Sequence, residues 1–367
     1  MDRKTPARRG RRLLLLALVA LAALGAGHTL LWRAVASQLE QGWQSWVQLR
    51  RAQGWQVDHA PPVRGGWPFA ATITLDRLRL DGATATLPGG LGFTAQRAML
   101  RVELPWLDRL HVDLPGHQRL RLGALDYAFI ADRLTATVPL ERDTPPSSAE
   151  FVAERLRIGT PSGGMEVALA TLSVSGSSSA TDTESALELT FAAEGVDLPP
   201  AAPGDPLARF GRRIATVSAD LALSGPLPGG RSPTPRAEAW RDGGGTLELR
   251  GLAMRWGPLG GTATATIAFD ETLQPMGAGM LRLTGAADAL DALAEAGLVG
   301  RRAALTARSL LPLISRPSAG NGAPEIEVPV TLEDRTLTLA RIPVLRFPPL
   351  GWPCLLYTSD AADEEDS

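Results

Sequence analysis

AATITLDRLRL (residues 70–80) decides the class of fold. Ile73 and Leu75 alternate with Thr72 and Thr74, and after Asp76-Arg77 the apolar phase shifts to Leu78 and Leu80. Alternation with period two marks a half-buried strand, because successive side chains leave a strand on opposite faces. The change of parity within the run predicts a bulge or a bend. The same alternation returns downstream at Leu100, Val102 and Leu104, and again at Leu134, Ala136, Val138 and Leu140. Further strand-like runs cover residues 151–158, 167–174, 187–191 and 215–223. Most end near Gly, Pro, Ser or Asp, as antiparallel strands do. So many strands beside so few helices exclude an α/β nucleotide-binding fold.

The C-terminal third extends the pattern. Leu247, Leu249, Leu252, Met254 and Trp256 predict two short strands or one bent one around Gly251, and Gly257-Pro258 turns the chain. Ala263, Ala265, Ile267 and Phe269 share a face opposite Thr262, Thr264 and Thr266, and Leu281 with Leu283 marks another strand. The spacing then becomes helical, predicting a short helical insertion near 286–315, with Gly297 as a stop. Residues 326–332 and 337–339 predict a hairpin across Glu333-Asp334-Arg335. The Gly243-Gly244-Gly245 run reads as a hairpin turn, and the Pro/Gly-rich stretch 226–236 as a loop or boundary. The fold expected is mainly β: a large antiparallel domain, curved or sandwich-like, in regions 55–225 and 237–353.

Upstream of the strands the chain is helical. Arg8, Arg9, Arg11 and Arg12 precede a 20-residue apolar run, residues 13–32, that includes Leu13, Leu14, Leu15, Leu16, Leu21, Leu24, Leu30 and Leu31 and ends at Trp32. A helix of about 20 apolar residues spans a bilayer core. The basic cluster (residues 1–12) is expected to stay cytoplasmic, which places the rest outside the cytoplasm. Small residues at 23–27 would suit a signal peptidase, but the apolar run continues directly into a second helical pattern, so the anchor is expected to be retained. That second pattern, residues 33–54, is an amphipathic stalk with Trp43 and Trp46 on its apolar stripe. Two readings of the stripe stand: packing on the following domain, or lying in the outer membrane interface. RGGWPF (residues 64–69) then supplies a turn, with Gly65, Gly66 and Pro68.

The end of the chain differs in style. Residues 354–367 hold the single Cys, one of two Tyr and five acids, and CLLYTSDAADE resembles a translated sequencing-library adapter. Excluded from fold reasoning, it takes −5 with it, against +5 from residues 1–12, so the body carries −2. Such a body has no field to attract nucleic acid, and without cysteine it has no disulfides or thiolate metal sites. Lys4 is the only lysine, an Arg bias that fits a GC-rich genome.

Chemistry-bearing motifs are sparse. His111 and Asp113 point the same way on a strand, but Pro115-Gly116 turns the chain before His117, and no second cluster offers the remaining ligands of a zinc site. There is no G-x-S-x-G or S-x-x-K, and Asp205 with Asp220 has nothing to fix its spacing. No catalytic residue, metal or cofactor is expected.

Arg50-Arg51-Ala52-Gln53-Gly54 closing a Trp-bearing helix, the R-G-G-W-P turn, GLAMRWGPL (residues 251–259) and LQPMGAG (residues 273–279) resemble domain of unknown function 2125, an uncharacterised alphaproteobacterial family. The likeness covers residues 10–352 and rests on turns and core strands, so it transfers no site. A remoter likeness is to AsmA-type envelope proteins, which join an inner-membrane anchor to a periplasmic β domain and are implicated in lipid handling. Together these imply a single-pass inner-membrane protein with a periplasmic body. The partners expected are the inner membrane and phospholipid or another envelope lipid, in envelope maintenance rather than catalysis. The alternatives are a scaffold for protein partners and, last, a periplasmic hydrolase with a dispersed site.

Overall fold

The computed structural model describes residues 7–82, 90–123, 125–140, 147–160, 163–177, 184–202, 204–205, 208, 210–228, 233–295, 300–314 and 325–352. The adapter-like tail from Cys354, Gly297 and residues 1–6 lie outside them, as do the side chains of Arg8, Arg9 and Arg12. In chain order come α1 (Ala7–Ala52), β1 (Trp55–Asp58), β2 (Val63–Gly65), β3 (Ala70–Gly82), β4 (Leu91–Glu103), β5 (Arg109–Asp113), β6 (His117–Leu122), β7 (Leu125–Ile130) and β8 (Arg133–Pro139). β9 (Ser148–Thr160), β10 (Gly163–Gly176), β11 (Ser185–Asp197), β12 (Arg213–Ser224), α2 (Pro233–Asp242), β13 (Leu247–Trp256), β14 (Leu259–Phe269) and β15 (Pro275–Thr284) follow. The chain ends with α3 (Ala286–Glu295), α4 (Arg301–Ile314), β16 (Glu325–Glu333), β17 (Thr336–Leu339) and β18 (Ile342–Arg346).

All 18 strands join in one antiparallel sheet. β1 and β2 lie end to end along β3, and β4 follows on its other side. β6 and β5 share the next position, β7 and β8 the one after, and both of these meet β9. From β9 to β18 each strand pairs with its successor in a meander. Among the described residues β18 has a register only with β17, and β1 and β2 only with β3.

A crease crosses this sheet. Leu75 faces Ala98 and Leu78 faces Ala95, while Arg77 (φ 56°) and Gln96 between them have no register partner. Both strands therefore change parity together, as the sequence predicts for Arg77. Arg155 (φ 46°), Ala168, Gly195 (φ 60°) and Ala215 repeat the device across β9, β10, β11 and β12. The gaps between β1 and β2, β5 and β6, and β7 and β8 fall in line with it. The strands bend there and keep their apolar residues on one face.

α1 is a single helix of 46 residues. It ends at Gly54 (φ 88°), whose N–H bonds to the Arg51 carbonyl. Of the two readings of the Trp stripe, packing holds. Val35 and Ala36 pack on Ala71, Val102 and Leu104, and Trp43 and Val47 on Val57, Ile73, Leu75, Leu78 and Leu100. Trp43 also stacks on Trp46 at 5.1 Å and donates to His59 Nε2 at 3.1 Å. Each buried Val, Ile or Leu in this packing contributes about 1.5–3 kcal/mol.

Two expectations are corrected. α2 begins inside the stretch read as a loop; Pro233 and Pro235 fall in its first turn, where a missing N–H leaves no helical bond unmade. The triple glycine is no hairpin. It ends α2, with Gly245 N–H on the Trp240 carbonyl, and a Cβ on Gly245 would strike the Trp240 ring. β12 and β13 pair directly across this excursion, so one sheet runs through both β-rich regions.

The turn between β14 and β15 hangs on Asp270. One carboxylate oxygen accepts from the N–H groups of Thr272 and Gln274 and from the Thr272 hydroxyl, each at 2.8 Å, and this seats buried Leu273 at φ 56°. Burial works to raise the Asp270 pKa, but those hydrogen bonds outweigh it and hold it below the ordinary value. A lowered folded pKa adds stability that is fully present above about pH 4 and is lost as pH falls through the folded value. Asp270→Ala is expected to cost about 1–3 kcal/mol in urea unfolding at neutral pH. The gap from wild type should narrow in acid.

Candidate functional site

The register assembles the alternating strands into one apolar face. Starting at β3 and moving strand by strand, the facing residues are Ile73, Leu100, Val112, Ala136, Phe151, Leu172, Phe191, Ala219, Leu252, Ala263, Leu281 and Val328. The adjoining row points the other way. It reads Thr72, Arg101, His111, Thr137, Glu150, Ser173, Thr190, Asp220 and Gly251. One face is thus apolar from β3 to β16 and its back is polar.

Cover over the apolar face is uneven. At the β3–β4 end α1 closes it, and Ile73 and Leu75 are fully buried. In the middle the buried cluster of Val167, Ala193 and Val196 is packed, among the described residues, by neighbouring strands and by Leu198 just after β11. There Phe151 remains 39% exposed and Leu252 38%, each flanked by alanine on one or both sides. A second layer would have buried them. At the far end α3 and α4 contact β14 and β16.

Two cavities open from this face. One, of about 380 Å³, lies between α2 and the strands and is lined by Trp240, Leu223, Leu247, Ile267 and Phe269. Two of its lining rings, Trp240 and Phe269, meet edge-on at 5.6 Å, and Trp352 meets Phe269 edge-on at 5.4 Å. The indoles are anchored by bonds from Trp240 to the Ser224 carbonyl and from Trp352 to the Leu273 carbonyl, each 2.9 Å. The second cavity, of about 500 Å³, is lined by Phe129, Ile158 and Met165 with His117, Arg157 and Arg212 at its rim. What such surfaces offer chemically is burial of apolar matter.

The polar back carries ion pairs. Asp81 accepts from Arg79 at 2.5 Å and Arg121 at 3.0 Å, and the Arg79 hydrogen bond leads in holding its pKa below the ordinary value. Arg250, at the β13 bulge, bridges Glu188 at 2.8 Å and Glu248 at 3.3 Å. These pairs are solvent-exposed and contribute little stability. His111 Nδ1 shares a hydrogen bond with the Thr137 hydroxyl at 3.2 Å, and Asp113 faces Arg101 at 3.6 Å, so both join this surface. His117 opens the separate strand β6.

The residues singled out in the first helix stand apart from the sheet. Leu13, Leu14, Leu15, Leu16, Leu21, Leu24 and Leu30 are all exposed on a helix long and apolar enough to cross a membrane, as a signal anchor or a signal sequence would be. Trp32, by contrast, donates to the Ala70 carbonyl at 2.9 Å. Gly66 (φ 90°) and Pro68 lie in the turn beside it; Gly257 (φ 55°) and Pro258 turn β13 into β14, and a Cβ on Gly257 would sit 2.5 Å from the Phe210 carbonyl. The α2 cavity escapes a reading of alternation, although Trp240 three residues before a glycine run was its available signal.

A family model described as an uncharacterized protein conserved in bacteria, DUF2125, matches residues 32–348. No curated protein and no solved structure matches the chain.

Proposed function

The chain belongs to the DUF2125 family, and we propose that it is an inner-membrane protein whose periplasmic body binds or guides lipid along the apolar face of its sheet. One observation carries this reading: the face is apolar on strand after strand, yet its middle keeps Phe151 and Leu252 exposed. Large uncovered apolar surface is avoided unless something binds it. Acyl chains are the apolar matter nearest a body held at a bilayer by the apolar half of α1, here read as a retained anchor. The role is non-enzymatic and serves envelope maintenance.

The test is native mass spectrometry of residues 34–353, exported to a periplasm and purified without the apolar run or the tail. Phospholipid bound at a fixed stoichiometry is the expected result. A folded body that carries none, even after incubation with vesicles, would move the reading to a scaffold for envelope proteins.

A further inference from the structure

The turn after β2 and the loop after β4 present the most exposed aromatic side chains of the sheet. Phe69 is 82% exposed, Trp106 72% and Trp67 59%, with Leu107 beside them at 42%. The two loops are joined, because Leu104 N–H donates to the Phe69 carbonyl at 2.9 Å. They are also tied to α1. His28 Nε2 bonds to the Pro68 carbonyl at 2.6 Å, and Trp32 Nε1 to those of Ala70 and Gly65 at 2.9 and 3.3 Å.

The position of those bonds along α1 sets the depth of the loops. His28 lies within the apolar run, four residues before its last residue, Trp32. At a rise of about 1.5 Å per residue, that is roughly 6 Å inside the end of the run. A loop whose backbone is bonded to His28 stands at the level where a membrane-spanning α1 leaves the hydrocarbon. Trp is favoured at that level because its ring is apolar and its N–H polar. The charges flanking the loops are paired: Asp108 with Arg109 at 3.8 Å, Glu103 with Arg101 at 3.2 Å and Arg64 with Glu40 at 2.6 Å.

We infer that Trp67, Phe69, Trp106 and Leu107 form a membrane-docking patch that enters the outer-leaflet interface of the bilayer spanned by α1. This rests on reading α1 as a retained anchor. The patch holds the body upright at two loops beside the helix, and it sets the Ala71, Val102 and Leu104 end of the apolar face against the lipid. Docking at this patch is driven by apolar contact of the exposed rings.

The experiment uses the full chain with Cys354→Ser, reconstituted in phosphatidylcholine vesicles and spin-labelled at one introduced cysteine: Phe69→Cys, Trp106→Cys, Leu21→Cys or Gln53→Cys. Collision of each label with oxygen and with a water-soluble nickel complex reads its depth. The oxygen-to-nickel ratio is expected to be several-fold higher at 69, 106 and 21 than at 53. Labels at 69 and 106 that match 53, while 21 is oxygen-favoured, overturn the docking patch and leave the anchor standing. A label at 21 that also matches 53 overturns the anchor, and the patch with it.

Discussion

Leu75→Asp is expected to unfold the body outright. Leu75 is fully buried between α1 and the sheet, packed among Trp43, Val47, Ile73 and Ala98. A carboxylate placed there would have no cation or donor to satisfy it, at a penalty of several kcal/mol. Lost packing adds to this, since Leu→Ala alone costs about 2–5 kcal/mol at such sites. Against a typical domain stability of about 5–15 kcal/mol, the sum is as large as the margin itself. Limited proteolysis of the full chain in detergent should show wild type resisting at the strands and the variant cut throughout. Leu75→Ala should stay folded and unfold at lower urea.

The same exchange at Leu252 is expected to leave the fold intact. Leu252 occupies the same face as Leu75, but it stays 38% exposed among the described residues and its row neighbours are Ala219 and Ala263. A carboxylate there remains in water, so the cost is about 1 kcal/mol or less. What changes is the face as a binding surface. An acyl chain lying along the row would have to desolvate the new charge, and each 1.4 kcal/mol of that penalty lowers affinity about tenfold. Leu252→Asp with Phe151→Asp should therefore purify folded, with affinity for phospholipid in vesicle titration reduced at least tenfold. The contrast between Leu75 and Leu252 separates a covered face from an open one.

Much of this architecture is written in local residues. The β class follows from alternation in runs such as Leu100, Val102 and Leu104, and the bend at Arg77 from its break in parity. A similar break stands in the sequence of β9, where Ala153 gives way to Leu156, yet read as one run it passes for an unbroken strand. The first half of β15 is hard to see, although Leu281 and Leu283 mark its second half, because Gly277 and Gly279 leave no side chains to alternate. They are glycines because a Cβ on Gly279 would come within 2.7 Å of the Ala265 Cβ on β14. α2 is masked by prolines that are harmless only at a helix start. The candidate site is legible only in part, since a strand's sequence shows which residues share a face and not which strand lies beside it. Joining Phe151 to Leu172 and Phe191 in one row requires the register, and the exposure of Phe151 requires the placement of the described helices.

The central claim is that lipid lies on this face, and contact can be read directly. A photoreactive phenylalanine analogue at Phe151 or Phe191 faces the apolar row, while at Glu150 or Thr190, one residue away, it faces the polar back. After irradiation of the full chain in its native membrane, mass spectrometry of the digested body should find lipid adducts at 151 and 191 and none at 150 and 190. Equal adducts on both faces, or none on the apolar one, would contradict a lipid-bearing face.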